Sequence, residues 1–159
     1  MTKPAINVLT RDNVDEFTKV SNYQNKTGMN VLDLYQRFAT RSAIYPGQGT
    51  PLGLAYVALK MNGEAGEFAE HVGKAMRDDD LIPIGGTIGA YRHGMAHVNG
   101  ALTPERRTLL IKEIGDVLWY LSAACNELNI TLSDAALQNL EKLCDRSERN
   151  ALHGSGDER

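Results

Sequence analysis

With 159 residues, a net charge of −3, and 42% hydrophobic and 23% charged residues, the chain has the balance of one globular domain with a buried core. Nothing in that charge suggests a wholesale nucleic-acid or polyanion binder, so no nucleic-acid partner is expected. The longest apolar run, Leu52 to Leu59, is too short to cross a bilayer, and the first residues lack the apolar core of a signal peptide. No membrane partner and a cytoplasmic location are therefore expected.

Taken in order, residues 1–28 read as an N-terminal extension. Asp12 or Asn13 could cap a short helix carrying Val14, Phe17 and Val20, with Asn25 to Gly28 ending it. A better helix is expected from about Asn30, with Val31, Leu34, Tyr35 and Phe38 on one side. Tyr45-Pro46-Gly47-Gln48-Gly49 breaks it.

Thr50-Pro51 predicts the next helix start, an N-cap hydroxyl followed by proline at the first helical position. Leu54, Val57, Ala58, Met61, Ala65, Phe68 and Val72 then form a continuous apolar stripe at three- and four-residue steps. Lys60, Glu64, Glu67, His71 and Lys74 form a polar stripe at the same period. Gly63, Gly66 and Gly73 each cost about 1 kcal/mol in a helix relative to alanine. Close approach of a neighbouring helix or a ligand is the expected reason for them. Asp78-Asp79-Asp80 ends the helix.

Residues 81–102 read as an insertion, Gly-rich over 81–100 and without a period, with the character of a lid or an oligomer contact. His93 and His97 inside it are four apart, but Gly94 lies between them and no third ligand follows. Thr103-Pro104 opens a third strong helix, with Leu110, Ile114, Val117, Leu118, Leu121, Cys125 and Leu128 as its core face. Asn129-Ile130 turns the chain, and Thr131 with Asp134 resembles a capping box for a last helix to about Asn150. Residues 151–159 form a small polar tail without a packing signal. Cys125 and Cys144 lie within helical patterns, as buried free thiols would. No strand is expected. The fold predicted is a single all-α domain, a bundle of four to five helices.

Two acidic pairs stand out against this pattern. Glu64 and Glu67 are three apart, as are Glu113 and Asp116, so each pair shares one helix face. A lone pair of this kind is usually a solvated face. Glu113 and Asp116, however, interrupt an otherwise apolar segment, and buried carboxylates need partners. Lys112 and Arg107 project elsewhere on that helix. Two such helices can enclose an oxygen-only ligand set, which suits Mg2+ or Mn2+. In the last helix Asn139, Lys142 and Arg146 form a single stripe of donors, suited to phosphate oxygens unless it is a solvated face with Glu141 and Glu148. Acid pairs for metal and a donor stripe for phosphate together point to phosphoryl transfer.

Tyr35-Gln36, Gly63-Glu64-Ala65-Gly66-Glu67, the run Glu113 to Tyr120 and the run Asn139 to Arg146 resemble the MazG-like nucleoside triphosphate pyrophosphohydrolases. The resemblance runs from about Tyr35 to Arg159, in the right order throughout, and Gly154-Ser155-Gly156-Asp157 is similar to the tail of small phage and bacterial members. It implies an all-α fold, a homodimer or homotetramer, and Mg2+ held by Glu64, Glu67, Glu113 and Asp116, with Mn2+ as an alternative. It implies hydrolysis of a nucleoside triphosphate at the α–β linkage, with Glu64 or Glu67 orienting or deprotonating the attacking water. Asn139, Lys142 and Arg146 would hold phosphate oxygens, with Lys74 as a further candidate, while Gln36 and Trp119 would lie near the base. Two features depart from the family pattern. Gly63 stands where a further Glu is common, and the gap between the acid pairs is longer than usual. A dUTPase-like or phosphoribosyl-ATP pyrophosphatase-like activity and a non-catalytic nucleotide- or metal-binding module are the competing readings.

Overall fold

The computed structural model describes residues 10–12, 15, 19, 29–78 and 102–149, and every element in them is helical. The helices are α1 (Val31–Ala39), α2 (Pro51–Asp78), α3 (Pro104–Glu127) and α4 (Leu132–Glu148), with a 3-10 turn at Thr40–Ser42. Residues 11, 12, 15 and 19 are also helical. The insertion with its two histidines, most of the N-terminal extension and the C-terminal tail lie outside the described residues. The chain divides into two compact units, Tyr45–Ala124 and a second made of Met1–Ile44 with Cys125–Arg159.

In the second unit, side chains rather than propensity fix the helix ends. The Asn30 side chain caps α1, accepting from the Asp33 amide at 3.0 Å, and Thr131 with Asp134 forms the capping box of α4. The connection into α4 turns at Asn129, whose φ of 54° is one that asparagine tolerates. α1 is held to this region by its polar side. Asp33 accepts from the Ser133 amide at 3.1 Å and from the Ser133 hydroxyl at 2.9 Å. The stripe expected to bury α1 does not do so: Val31 and Phe38 are exposed, Leu34 and Tyr35 half-buried, and the buried residue is Gln36. Cys125 and Cys144 are buried free thiols, as expected, and burial pushes both thiols up from their ordinary range.

Gln36 carries the most connections here. Its Nε2 donates to Asn126 Oδ1 at 2.7 Å and to the Ile130 carbonyl at 3.1 Å, and its Oε1 accepts from the Leu132 amide at 2.6 Å. Both amide hydrogens are committed to these two partners. Gln36 is a fastener of the α3–α4 turn. Gln36→Leu is expected to lower stability by about 2 kcal/mol, because buried backbone groups lose partners they cannot replace. A lower urea midpoint at unchanged slope is the measurement.

In the other unit α2 opens at Pro51 as predicted, but Thr50 does not cap it in the expected way. Its hydroxyl donates to the Gly47 carbonyl at 2.6 Å, closing the preceding turn. That turn needs glycine at 47. The φ is +74°, and a Cβ there would come within 2.9 Å of Leu52. At the start of α3, Thr103 is a true cap, its Oγ1 accepting from the Arg106 amide at 3.1 Å. The apolar stripes lie where the periodicity puts them, yet the chain covers only part of each. Val57 and Leu110 are buried, whereas Ile114 is 55% and Leu121 41% exposed. Nor does any neighbour among the described residues require the helix glycines, since a Cβ at Gly63, Gly66, Gly73 or Gly115 would meet nothing within 4 Å there.

Candidate metal centre

The site is built on α2 and α3 within the unit Tyr45–Ala124. Tyr56, Lys60, Glu64, Glu67, His71 and Lys74 follow one another along α2 at steps of three and four, so they share a face. Glu113, Asp116 and Tyr120 do the same along α3. The cross-helix contacts set the direction. His71 meets Glu113 at one end, and Tyr45, stacked on Tyr56, meets Trp119 at the other. Residue numbers fall along α2 as they rise along α3, so the two helices run antiparallel and their acid pairs come level.

Glu64, Glu67 and Glu113 come together. One carboxylate oxygen from each lies within 4.8 Å of the other two, a group that can hold a metal ion. The three differ in exposure: Glu113 is buried, Glu64 half-buried and Glu67 exposed. Asp116, the fourth expected ligand, is exposed and outside that group, although its charge acts on Glu64. The Glu64 carboxyl is held above the usual carboxylate range, first by its own burial and then by the neighbouring Glu67, with Asp116 and Glu113 adding to this and Lys60 opposing it. Lys60 lies 3.8 Å from Glu64 Oε1. A group whose ionised form is disfavoured by like charges is one that a divalent cation relieves, and all three donors are hard oxygens. The residues fit such an ion.

Trp119 is half-buried and meets Tyr45 and Tyr120 edge-on, with ring centroids 6.2 and 4.8 Å apart. Burial raises the Tyr120 phenol above its ordinary range, while Lys60 opposes the rise. An aromatic cluster thus borders the acid group on one side. Sequence reading picked out Trp119 alone; the signal for the others was Tyr56, four residues before Lys60 on the polar stripe. Lys74 sits at the opposite end, its Nζ 2.6 Å from Glu70 Oε1. Asn139, Lys142 and Arg146 lie on α4, in the other unit.

A family model described as the MazG nucleotide pyrophosphohydrolase domain matches residues 55–150. The chain belongs to this family. The matched span takes in both acid pairs and the α4 donor stripe, and the all-α architecture agrees with it. The chain is also similar to the Gene 37 protein of Mycobacterium phage L5, with 39% identity over 131 residues, covering 80% of this chain and 98% of the phage protein. No solved structure matches. Within this MazG domain no helix among the described residues is long and apolar enough to cross a membrane.

Proposed function

We propose that the protein is a Mg2+-dependent nucleoside triphosphate pyrophosphohydrolase, releasing a nucleoside monophosphate and pyrophosphate. The observation that carries the reading is the convergence of Glu64, Glu67 and Glu113 from two helices inside a span matched by the MazG domain. These three carboxylates would hold the ion, with Asp116 as the fourth ligand if it joins the site when the ion binds and Mn2+ as an alternative. When bound, the cation offsets the charge of the phosphate chain and lowers the pKa of water. Glu64 or Glu67 orients the attacking water and takes its proton. The bond from the α-phosphorus to the bridging oxygen breaks, and the electron pair leaves with pyrophosphate. Trp119 borders the base. On the resemblance of their motif, Asn139, Lys142 and Arg146 are assigned to the phosphate oxygens, with Lys74 as a further candidate.

The test is turnover of the common ribo- and deoxyribonucleoside triphosphates with Mg2+, with the products separated. Monophosphate and pyrophosphate from at least one of them is the expected result. Diphosphate with inorganic phosphate, or binding without turnover, contradicts the reading. Adding dUTP and phosphoribosyl-ATP to the panel separates it from the dUTPase-like and phosphoribosyl-ATP pyrophosphatase-like alternatives.

The same reading includes self-association. Ala65, Phe68, Ile114, Val117, Leu118 and Leu121 line one apolar groove between α2 and α3. A contiguous apolar surface that the described residues leave uncovered calls for a partner. We assign it to a second copy of the chain, in a homodimer or homotetramer. The open space beside Gly66 and Gly115 supports this, because it lets another helix approach. Leu121→Glu, at a side chain already 41% exposed, is expected to leave the protomer folded and bring the light-scattering mass down to that of the 17.5 kDa chain. An unchanged oligomer mass contradicts the assignment.

A further inference from the structure

Glu113 is the buried member of the acid group, 8% exposed, and a carboxylate taken out of water needs a partner that also fixes its direction. His71 is its one ion-pair partner among the described residues. The imidazole Nε2 stands 3.7 Å from Glu113 Oε1, with the two side chains 19% and 11% exposed. The other ring nitrogen, Nδ1, is buried and makes no hydrogen bond. A surface histidine that merely rides the polar stripe would keep both nitrogens wet. This one has given up solvent on one side and faces a carboxylate on the other.

His71 is not a fourth ligand in this geometry, because the atoms that lie within 4.8 Å of one another come from Glu64, Glu67 and Glu113 alone. It reaches the group only through Glu113. We propose that His71 is a positioning residue, which donates from Nε2–H to the Glu113 carboxylate and turns that carboxylate's ligating oxygen toward the cation. The inference rests on the metal reading of the acid group.

The neutral imidazole is sufficient for this role. With the proton on Nε2 the carboxylate receives a donor, and the buried Nδ1 keeps a lone pair instead of a stranded N–H. A separation of 3.7 Å is longer than a formed N–H···O bond. Catalytic-site bonds are commonly long before ligand arrives and tighten in the complex. Outer groups of this kind hold a ligand in the orientation the ion needs, and losing one typically costs between tenfold and a hundredfold in metal affinity. The position also explains why a histidine interrupts the glutamates of the stripe. From His71 on α2, one turn beyond Glu67, the side chain reaches across to Glu113 on α3.

The test is Mn2+ affinity of the nucleotide-free full chain, read by loss of the free-ion electron paramagnetic resonance signal. His71→Leu removes the donor at similar volume and is expected to weaken Mn2+ on the order of tenfold. His71→Gln places an amide N–H where Nε2 was and should return affinity to within about threefold of wild type. His71→Asn places its amide near Nδ1 and should not rescue. Urea midpoints in chelator establish that each variant is folded. Equal weakening in all three folded variants means a packing role and overturns the proposal, as does rescue by Asn rather than Gln. Wild-type affinity in His71→Leu, with binding lost in Glu67→Gln, overturns the positioning role and leaves the metal centre standing. Wild-type affinity in Glu67→Gln removes the metal centre itself, and the proposal with it.

Discussion

Glu67→Gln is expected to cut turnover at least on the order of a hundredfold, with the helices intact. Electrostatic stabilisation of developing charge is usually the largest catalytic contribution, and on the proposed reading this substitution removes a ligand charge from the group that holds a cation against phosphate. Glu67 is the exposed member of the three, so the neutral amide costs the fold nothing in desolvation. It also relieves Glu64, whose carboxyl Glu67 pushes upward. The variant should therefore be at least as stable as wild type in chelator. A fall in kcat/KM together with unchanged or raised stability is the expected pair of readings, because it separates lost chemistry from lost folding. Asp116→Asn is the sharper question about ligand number. Asp116 lies outside the three-oxygen group, and a comparable loss there would mean that it joins the site when the ion binds.

The second large effect is on stability. Three carboxylate oxygens lie within 4.8 Å of one another. At an effective dielectric near 20, two unit charges about 4 Å apart repel by roughly 4 kcal/mol. A divalent ion removes that repulsion, and it binds the unfolded chain poorly because the ligands are far apart in sequence. Mg2+ or Mn2+ at about a hundred times its Kd should add roughly 2.7 kcal/mol. For a domain of this size that corresponds to a rise of about 5–10 °C in Tm. The pH dependence has a defined sign. Because the fold raises the Glu64 carboxyl, the protonated form is favoured in the folded state. Its contribution is fully present below the ordinary carboxylate value of 4.5 and is lost as pH rises through the raised folded value. In chelator, then, this group makes the protein more stable as pH falls through that window. With metal, falling pH protonates the ligands and removes the gain, so the two curves converge. Na+ at matched ionic strength controls for screening. If salt reproduced the whole shift, the carboxylates would not form one metal site.

The parts of this protein legible in its sequence are those set by near neighbours. Pro51 and Pro104 open α2 and α3, and Thr131 with Asp134 caps α4, because cap and proline signals act within one turn. The acid pairs were legible for the same reason, since three-residue spacing on a helix fixes a shared face. What Glu113 and His71 do for each other depends on the register between two helices, and no local spacing encodes it. Gln36 is another case. Its motif suggested a place near the base, and no local spacing announced the three partners that it holds 90 to 96 residues away in the α3–α4 turn. Periodicity picked out apolar stripes on α2 and α3 but could not say what covers them: Ile114, Leu121 and Leu128 of the expected α3 face are exposed, while Glu113, Ser122 and Ala123 are buried. Thr50 had the right position for a cap, yet its hydroxyl took the nearer carbonyl at Gly47.

The central claim is that this acid group directs water to the α-phosphorus of a nucleoside triphosphate. It is tested most directly by running the reaction in 18O-labelled water with Mg2+ and locating the label by mass spectrometry. The account predicts one labelled oxygen in the nucleoside monophosphate and none in pyrophosphate, with both products formed at least on the order of a hundredfold more slowly when Glu67 is replaced by Gln. Label in pyrophosphate, or the appearance of diphosphate and labelled inorganic phosphate, would contradict it.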